Sequence, residues 1–246
     1  MRIPYQTIRI ANIDDSGNII KDCDTNEIGA ILHSGISTFP GYKQQEANLS
    51  VWPENDLFNS GDMGRLDEEG YLWLVGRAKD LIIRGGHNID PLVTEDALAA
   101  HPAVEVAAAV GRPDTHSGEV PVAFVQLVEG ATASEDELKA FARDHISERA
   151  AAPVDVTICD VLPVTAVGKI YKPELRKRAI KAAFLTALKA AFSDTEFMIN
   201  ITDDKRLGIK VMLEAIDSTG QDNLVSQLQE ALQHFTQHWE LVKTKA

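Results

Sequence analysis

The feature that most constrains this chain is the order in which two kinds of apolar pattern alternate between Asp90 and Val161. Asp90 followed by Pro91 marks a helix start, because aspartate can cap exposed N–H groups and proline suits the first helical position. That helix is expected to run to about His101-Pro102. Two runs rich in β-branched residues follow, Val104 to Val110 and Val120 to Val128, and read as strands of one small sheet. Ser134 with Glu137 then makes a capping-box pattern, and Leu138, Phe141, Ala142, His145 and Ile146 share one face of the next helix. Val156 to Val161 reads as a further strand. Helix, strand, strand, helix, strand is a compact α+β unit of about a hundred residues, within the usual domain size range.

The flanks differ from this unit. Tyr5 to Asp14 and Ile28 to Ser34 are β-prone runs separated by the turn signal Asp15-Ser16-Gly17-Asn18. Tyr71 to Val75 and Asp80 to Ile83 read as two more strands, and the polar Gly76-Arg77-Ala78-Lys79 between them is a hinge candidate. On the other side, Pro173 opens a helix whose Ile180, Phe184, Leu188 and Phe192 form one apolar stripe. Phe197 to Ile201 and Leu207 to Ala215 alternate as strands do, joined around Asp203-Asp204-Lys205-Arg206. A last helix is expected to present Leu224, Leu228, Leu232, Phe235 and Trp239.

Composition removes several function classes. A net charge of -13 opposes nucleic-acid or anionic-membrane binding, which needs clustered Lys and Arg, so any anion site must be local. No run approaches ~18 continuous apolar residues and the N-terminus has no leader pattern, so no membrane span is expected. Cys23 and Cys159 have no ligand spacing and read as reduced structural thiols of a cytoplasmic protein.

Three stretches carry the chemistry: GDMGRLDEEGYLWLVGRAKD from Gly61, LIIRGGHNIDP from Leu81, and LPVTAVGKIYK from Leu162. In this order and separation they resemble the C-terminal motifs of the adenylate-forming superfamily of acyl-CoA synthetases, peptide-synthetase adenylation domains and luciferases, and most closely those of bacterial fatty-acyl-type CoA synthetases. The resemblance covers roughly Ile8 to Arg176. It implies a β-rich last subdomain of the N-terminal adenylation domain over 1–78 and a compact lid domain over 79–176. The residues 177–246 are then a small αββα extension of unassigned role.

Each site residue has a reading from its own chemistry and one from the resemblance. Asp62, beside Gly61 at the end of an expected strand, can accept hydrogen bonds from vicinal hydroxyls; an isolated Gly-Asp more often just closes a strand, whereas the matching Asp of the family binds the ribose of ATP and of the adenylate. Arg77 offers a planar fork of donors; by itself it could serve a surface ion pair with Asp80, while the family's Arg contacts the nucleotide near the hinge. Lys79 occupies the position about which, in the family, the C-terminal domain rotates between two half-reactions, and a single residue absorbing the backbone change suffices for that. Gly85 and Gly86 remove side-chain bulk from a loop; they suit either a tight turn or the family's channel for the pantetheine arm of CoA.

Lys169 follows Gly168 in a stretch expected to be too short and flexible for regular structure, from which a long cationic side chain can reach another domain's cleft. A fixed cation there suits carboxylate attack on the ATP α-phosphate, the step the matching lysine of the family performs. Lys172 reads as a surface residue. His234 and His238 stand four apart on the expected last helix, and HFTQH lacks the Glu and third ligand of a zinc motif, so solvent-exposed histidines are expected. Asp67-Glu68-Glu69 before Gly70 reads as a solvated hairpin turn.

The resemblance implies ATP/AMP, CoA and, with ATP, Mg²⁺, and a carboxylic acid substrate. The phosphate loop and the acyl pocket of a whole synthetase do not precede Ile8, so activity is expected to need an N-terminal adenylation domain in cis or trans. The rival reading is a non-catalytic binding or assembly module that retains the lid fold, its tail stripes serving a partner helix. Lys169 in its Gly-Lys context separates the two, since a scaffold has no need of it.

Overall fold

The computed structural model describes residues 5–14, 16–48, 51–54, 56–193, 195–204, 208–216 and 223–242. Asp15, Lys205, Arg206 and Leu207, which the sequence assigns to turns and a strand edge, lie outside them. The chain is α+β and divides into two compact units, Met1–Leu81 and Ile82–Ala246. No helix among the described residues is long and apolar enough to cross a membrane.

The first unit is a five-stranded antiparallel sheet of β1 (Gln6–Ile13), β2 (Ile19–Asp22), β3 (Gly29–Gly35), β4 (Phe58–Leu66) and β5 (Leu72–Arg77), in the order β2-β1-β3-β4-β5. Ala11, Ala30 and Leu32 form its buried centre, with Ile13, Ile19, Leu57 and Met63 packed against them. The β4–β5 turn is closed by Asp67, whose carboxylate accepts from the backbone N–H groups of Glu69 and Tyr71 and from the Trp73 indole at 2.8 Å. The indole bond, then the backbone bonds, hold this carboxyl below its ordinary pKa.

The second unit opens with β6 (Ile82–Arg84) and β7 (His87–Ile89), then α1 (Pro91–Ala99), β8 (Val104–Asp114), β9 (Gly118–Leu127), α2 (Glu135–His145) and β10 (Asp155–Cys159). Its sheet runs β10-β9-β6-β7, with β8 paired to β9; β10 is parallel to β9 and the other pairs are antiparallel. Both helix starts follow from their caps: Asp90 Oδ1 accepts from Leu92 N at 2.9 Å, and Ser134 and Glu137 make a reciprocal capping box. Ile82, Ile89, Leu98, Val125, Leu138 and Ala142 are fully buried in one core, and each larger side chain of this kind stabilises by about 1.5–3 kcal/mol.

α3 (Lys172–Ala191) belongs to two cores. Leu175 and Ala179 pack with Leu162 and the β8 and β9 side chains, while Ile180, Phe184 and Leu188 pack with Ile199, Val211, Leu213, Leu224, Leu228 and Leu232. The latter residues come from β11 (Glu196–Asp204), β12 (Gly208–Ile216) and α4 (Leu224–Leu232). The expected last helix is too long: α4 stops at Leu232, and β13 (His238–Leu241) pairs parallel to β12. Leu232, Phe235 and Trp239 have helical spacing, but Trp239 and Leu241 share a strand's alternation and the same core, and the Lys210–Glu240 ion pair at 2.8 Å pins the strand. His234 and His238 therefore share no helix face, and both are exposed.

Candidate functional site

In the first unit, Asp62 and Arg77 are opposite one another across β4 and β5, and Arg77 Nε lies 2.9 Å from Asp62 Oδ1. The Asp62 side chain is 34% exposed, so a carboxylate with several acceptor sites keeps capacity for further donors. Asp62 sits inside β4 and not at a strand end. Gly61, at φ 75°, and a bulge at Met63/Gly64 bend the strand, yet pairing continues to Leu66. Gly76 and Arg77 likewise belong to β5, and only Ala78 to Leu81 form the connection. Asp80 N and Leu81 N both donate to Arg77 O at 2.9 and 3.2 Å, so exposed Lys79 sits in a closed turn just before the division between units.

In the second unit, Gly85 and Gly86 are the whole loop of the β6–β7 hairpin. Their φ angles of 57° and 83° are the left-handed pair that a two-residue hairpin of matching twist requires. A Cβ at either position would meet nothing within 4 Å, so conformation and not crowding demands glycine. Gly85 N donates to Ser117 O at 2.7 Å, and the tip from Gly85 to Asn88 is exposed. The backbone here is thus a tight turn with an exposed tip.

Lys169 lies on a second small hairpin, and the loop is not irregular as the sequence suggested. Val164 and Ile170 bridge antiparallel, Thr165 N donates to Lys169 O at 2.7 Å, Gly168 N donates to Thr165 O at 2.9 Å, and Tyr171 N donates to Pro163 O at 2.7 Å. Lys169 N donates to Thr165 Oγ1 at 3.2 Å. Gly168, at φ 77°, is the left-handed residue that lets the strand-like arms return. Local side-chain and backbone hydrogen bonds thus replace the flexibility expected of so short a stretch. Val167 and Lys169 project from it exposed, while Leu162 at its foot is buried.

One pair was not legible in the sequence. Lys172, expected on the surface, places Nζ 2.8 Å from Glu95 Oε1 of α1, with side chains only 20% and 14% exposed. Glu95 Oε1 also accepts from Ala109 N at 2.7 Å. Asp90 stands near them: burial pushes its carboxyl above the ordinary pKa, while the Leu92 N–H and the Lys172 cation pull the other way. A Glu in α1 and a Lys at the start of α3 share no local pattern; only the fold joins them. Among the described residues no group of three or more His, Cys, Asp or Glu is gathered for a metal.

The AMP-binding enzyme C-terminal domain family matches residues 94–169. Marinolic acid–CoA ligase of Pseudoalteromonas sp. (strain SANK 73390) is 48% identical over 246 residues, 99% of this chain and 38% of that protein. Among solved structures, ATP-bound MatB from Rhodopseudomonas palustris is similar with a TM-score of 0.63 at 30% identity, over 72% of this chain and 34% of that one. The o-succinylbenzoate CoA synthetase MenE from Bacillus subtilis, in complex with its acyl-adenylate intermediate, gives 0.62 at 30% identity, over 71% and 34%.

Proposed function

The chain belongs to the adenylate-forming superfamily and carries its C-terminal part, and from that premise we propose that it serves an acid–thiol ligase, presenting Lys169 to the adenylation step. A carboxylate attacks the α-phosphorus of ATP, forming an acyl-adenylate and expelling pyrophosphate. The CoA thiol, losing its proton, then attacks the acyl carbon and expels AMP. Charge builds on the phosphate oxygens in the first step, and a fixed cation at that point lowers its barrier. The observation that carries this reading is the Lys169 hairpin: an exposed ammonium on a hydrogen-bonded turn with a buried foot.

Asp62 fits the ribose hydroxyls, since it is partly exposed and anchored by Arg77, and Arg77 presents its remaining donors beside it. Mg²⁺ would enter with the nucleotide phosphates. Gly85 and Gly86 offer a bare backbone tip to the pantetheine arm, and Lys79, in the short connection that ends one unit, is the hinge position. The acid is of fatty-acyl type, supported by the motif resemblance. The cytoplasm is the expected compartment, which two free thiols support. Phosphate loop and acyl pocket come from an N-terminal adenylation domain, in cis or trans; the chain spans 38% of the length of the ligase it matches.

The test is acid-dependent exchange of labelled pyrophosphate into ATP, with this chain alone and with an N-terminal adenylation domain supplied. Exchange only in the combined sample is the expected result. Exchange as fast without this chain as with it would refute the reading and favour an assembly module.

A further inference from the structure

We propose that Glu95 and Lys172 are a positioning pair that fixes the foot of the Lys169 hairpin, and so the direction in which its ammonium is presented. This rests on the adenylation role given to Lys169 above. Lys172 is misplaced for any local purpose. It is the first residue of α3, at the positive end of the helix dipole, where a cation is unfavourable. The helix has no side-chain hydrogen bond at its N-cap, Tyr171, and Lys172 cannot supply one as a donor.

The Lys172 Nζ to Glu95 Oε1 contact of 2.8 Å is largely shielded from solvent, where an ion pair is less screened than on the surface and removing one partner strands the other charge. Glu95 is itself held by the N–H of Ala109, at 2.7 Å on β8. Lys172 adjoins Tyr171, whose N–H closes the hairpin on Pro163 O. The other foot is tied to the neighbouring strand, because Leu162 N donates to Gln126 Oε1 of β9 at 3.1 Å. The two feet are thus fastened to two paired strands, β8 and β9. Among the described residues the tip has only its own turn hydrogen bonds, and its Val164 and Val167 side chains are exposed. The tip can point only where its feet direct it.

Two measurements test this. In this chain alone, Lys172→Met should speed amide hydrogen exchange at Thr165, Gly168, Lys169 and Tyr171 by tenfold or more. It should leave the Ile83–Asn88 ladder of the other hairpin unchanged, and Lys172→Arg should restore protection. Unchanged exchange at the Lys169 hairpin, or acceleration spread evenly over both hairpins, would overturn the proposal whatever Lys169 does in catalysis. With the adenylation domain supplied, Glu95→Gln and Lys172→Met should each lower kcat for adenylate formation about tenfold at unchanged KM for ATP. They should also spare thioester formation from pre-formed acyl-adenylate. An equal loss in both half-reactions, or a change in KM alone, would count against positioning. Should Lys169→Ala prove harmless to adenylation, the functional reading fails while the exchange measurement still decides the pair.

Discussion

Two hairpins in the second unit solve the same backbone problem and are held in different ways. The Gly85–Gly86 hairpin reverses through two left-handed glycines, its flanking Ile82 and Ile89 are fully buried, and a main-chain bond to Ser117 O steadies the tip. The Lys169 hairpin reverses through one left-handed glycine, is stitched by Thr165, and stands on feet tied by side chains, Gln126 to Leu162 and Glu95 to Lys172. A bare backbone tip has no side chain to aim, so core packing suffices for it. On the proposed role, a tip that carries a reactive cation needs its direction set as well as its shape, which partly buried polar fastenings can provide.

The largest expected effect lies on the side of the comparison that carries charge. On the proposed role, Lys169→Ala should remove one electrostatic donor at the α-phosphate, an effect on the order of 3 kcal/mol or about a hundredfold in rate. Because the side chain is exposed, unfolding stability should change by no more than ~0.5 kcal/mol. Urea titration beside pyrophosphate exchange reads both quantities. A rate loss that tracked a stability loss would make the two hairpins alike and erase the distinction.

Next in size is the shared backbone demand. Gly86→Val and Gly168→Val each force a β-branched residue to φ near 80°, at 83° and 77°, and should each cost about 2 kcal/mol of unfolding stability. Neither meets a steric neighbour, since an added Cβ has nothing within 4 Å at either site. Only the second substitution should slow adenylate formation. If Gly86→Val slowed it equally, the division of labour between the hairpins would be lost.

The smallest effect concerns pH. Asp90, which follows β7 and caps α1, has a carboxyl pKa raised chiefly by burial. A raised carboxyl favours the folded state fully below its unfolded pKa of about 3.9 and withdraws that contribution as pH rises through the folded value. The Asp90 contribution should therefore fade on going upward from about pH 4, so the stability of Asp90→Asn should rise relative to that of the wild-type chain over that interval. The solvated turn at Asp67 acts in the opposite sense, its lowered pKa supporting the fold above the unfolded value and failing as pH falls below it. A denaturation series from pH 3 to 7, with and without the substitution, gives the sign; a stability of Asp90→Asn that fell relative to the wild type as pH rose would contradict it.

What could be read from the sequence follows the range of the interaction. Asp90-Pro91 and Ser134…Glu137 announce their helices because caps are chemistry between near neighbours, whereas the hairpin at 164–170 reads in the sequence as an irregular loop because its Thr165 and Gly168 bonds leave no periodic pattern. Glu95 and Lys172 meet only once α1, β8 and α3 are packed, so nothing in their local contexts foretells the pair. The end of α4 was misread because Leu232, Phe235 and Trp239 fit a helix while Trp239 and Leu241 fit a strand, and the choice is made by pairing with β12. Asp62 reads in the sequence as a strand end because Gly61 beside it looks like a terminator; in the sheet Gly61 and the bulge at Met63/Gly64 mark a bend inside a continuing strand.

The central claim, that the Lys169 hairpin serves adenylate formation and not the thiol step, is tested most directly by splitting the reaction. The chain with its adenylation domain supplied receives ATP and acid in one assay, and pre-formed acyl-adenylate and CoA in another, as wild type and as Lys169→Ala. The account predicts that the variant forms adenylate slowly and converts supplied adenylate to thioester at the wild-type rate. Equal slowing of both reactions, or of neither, would contradict it.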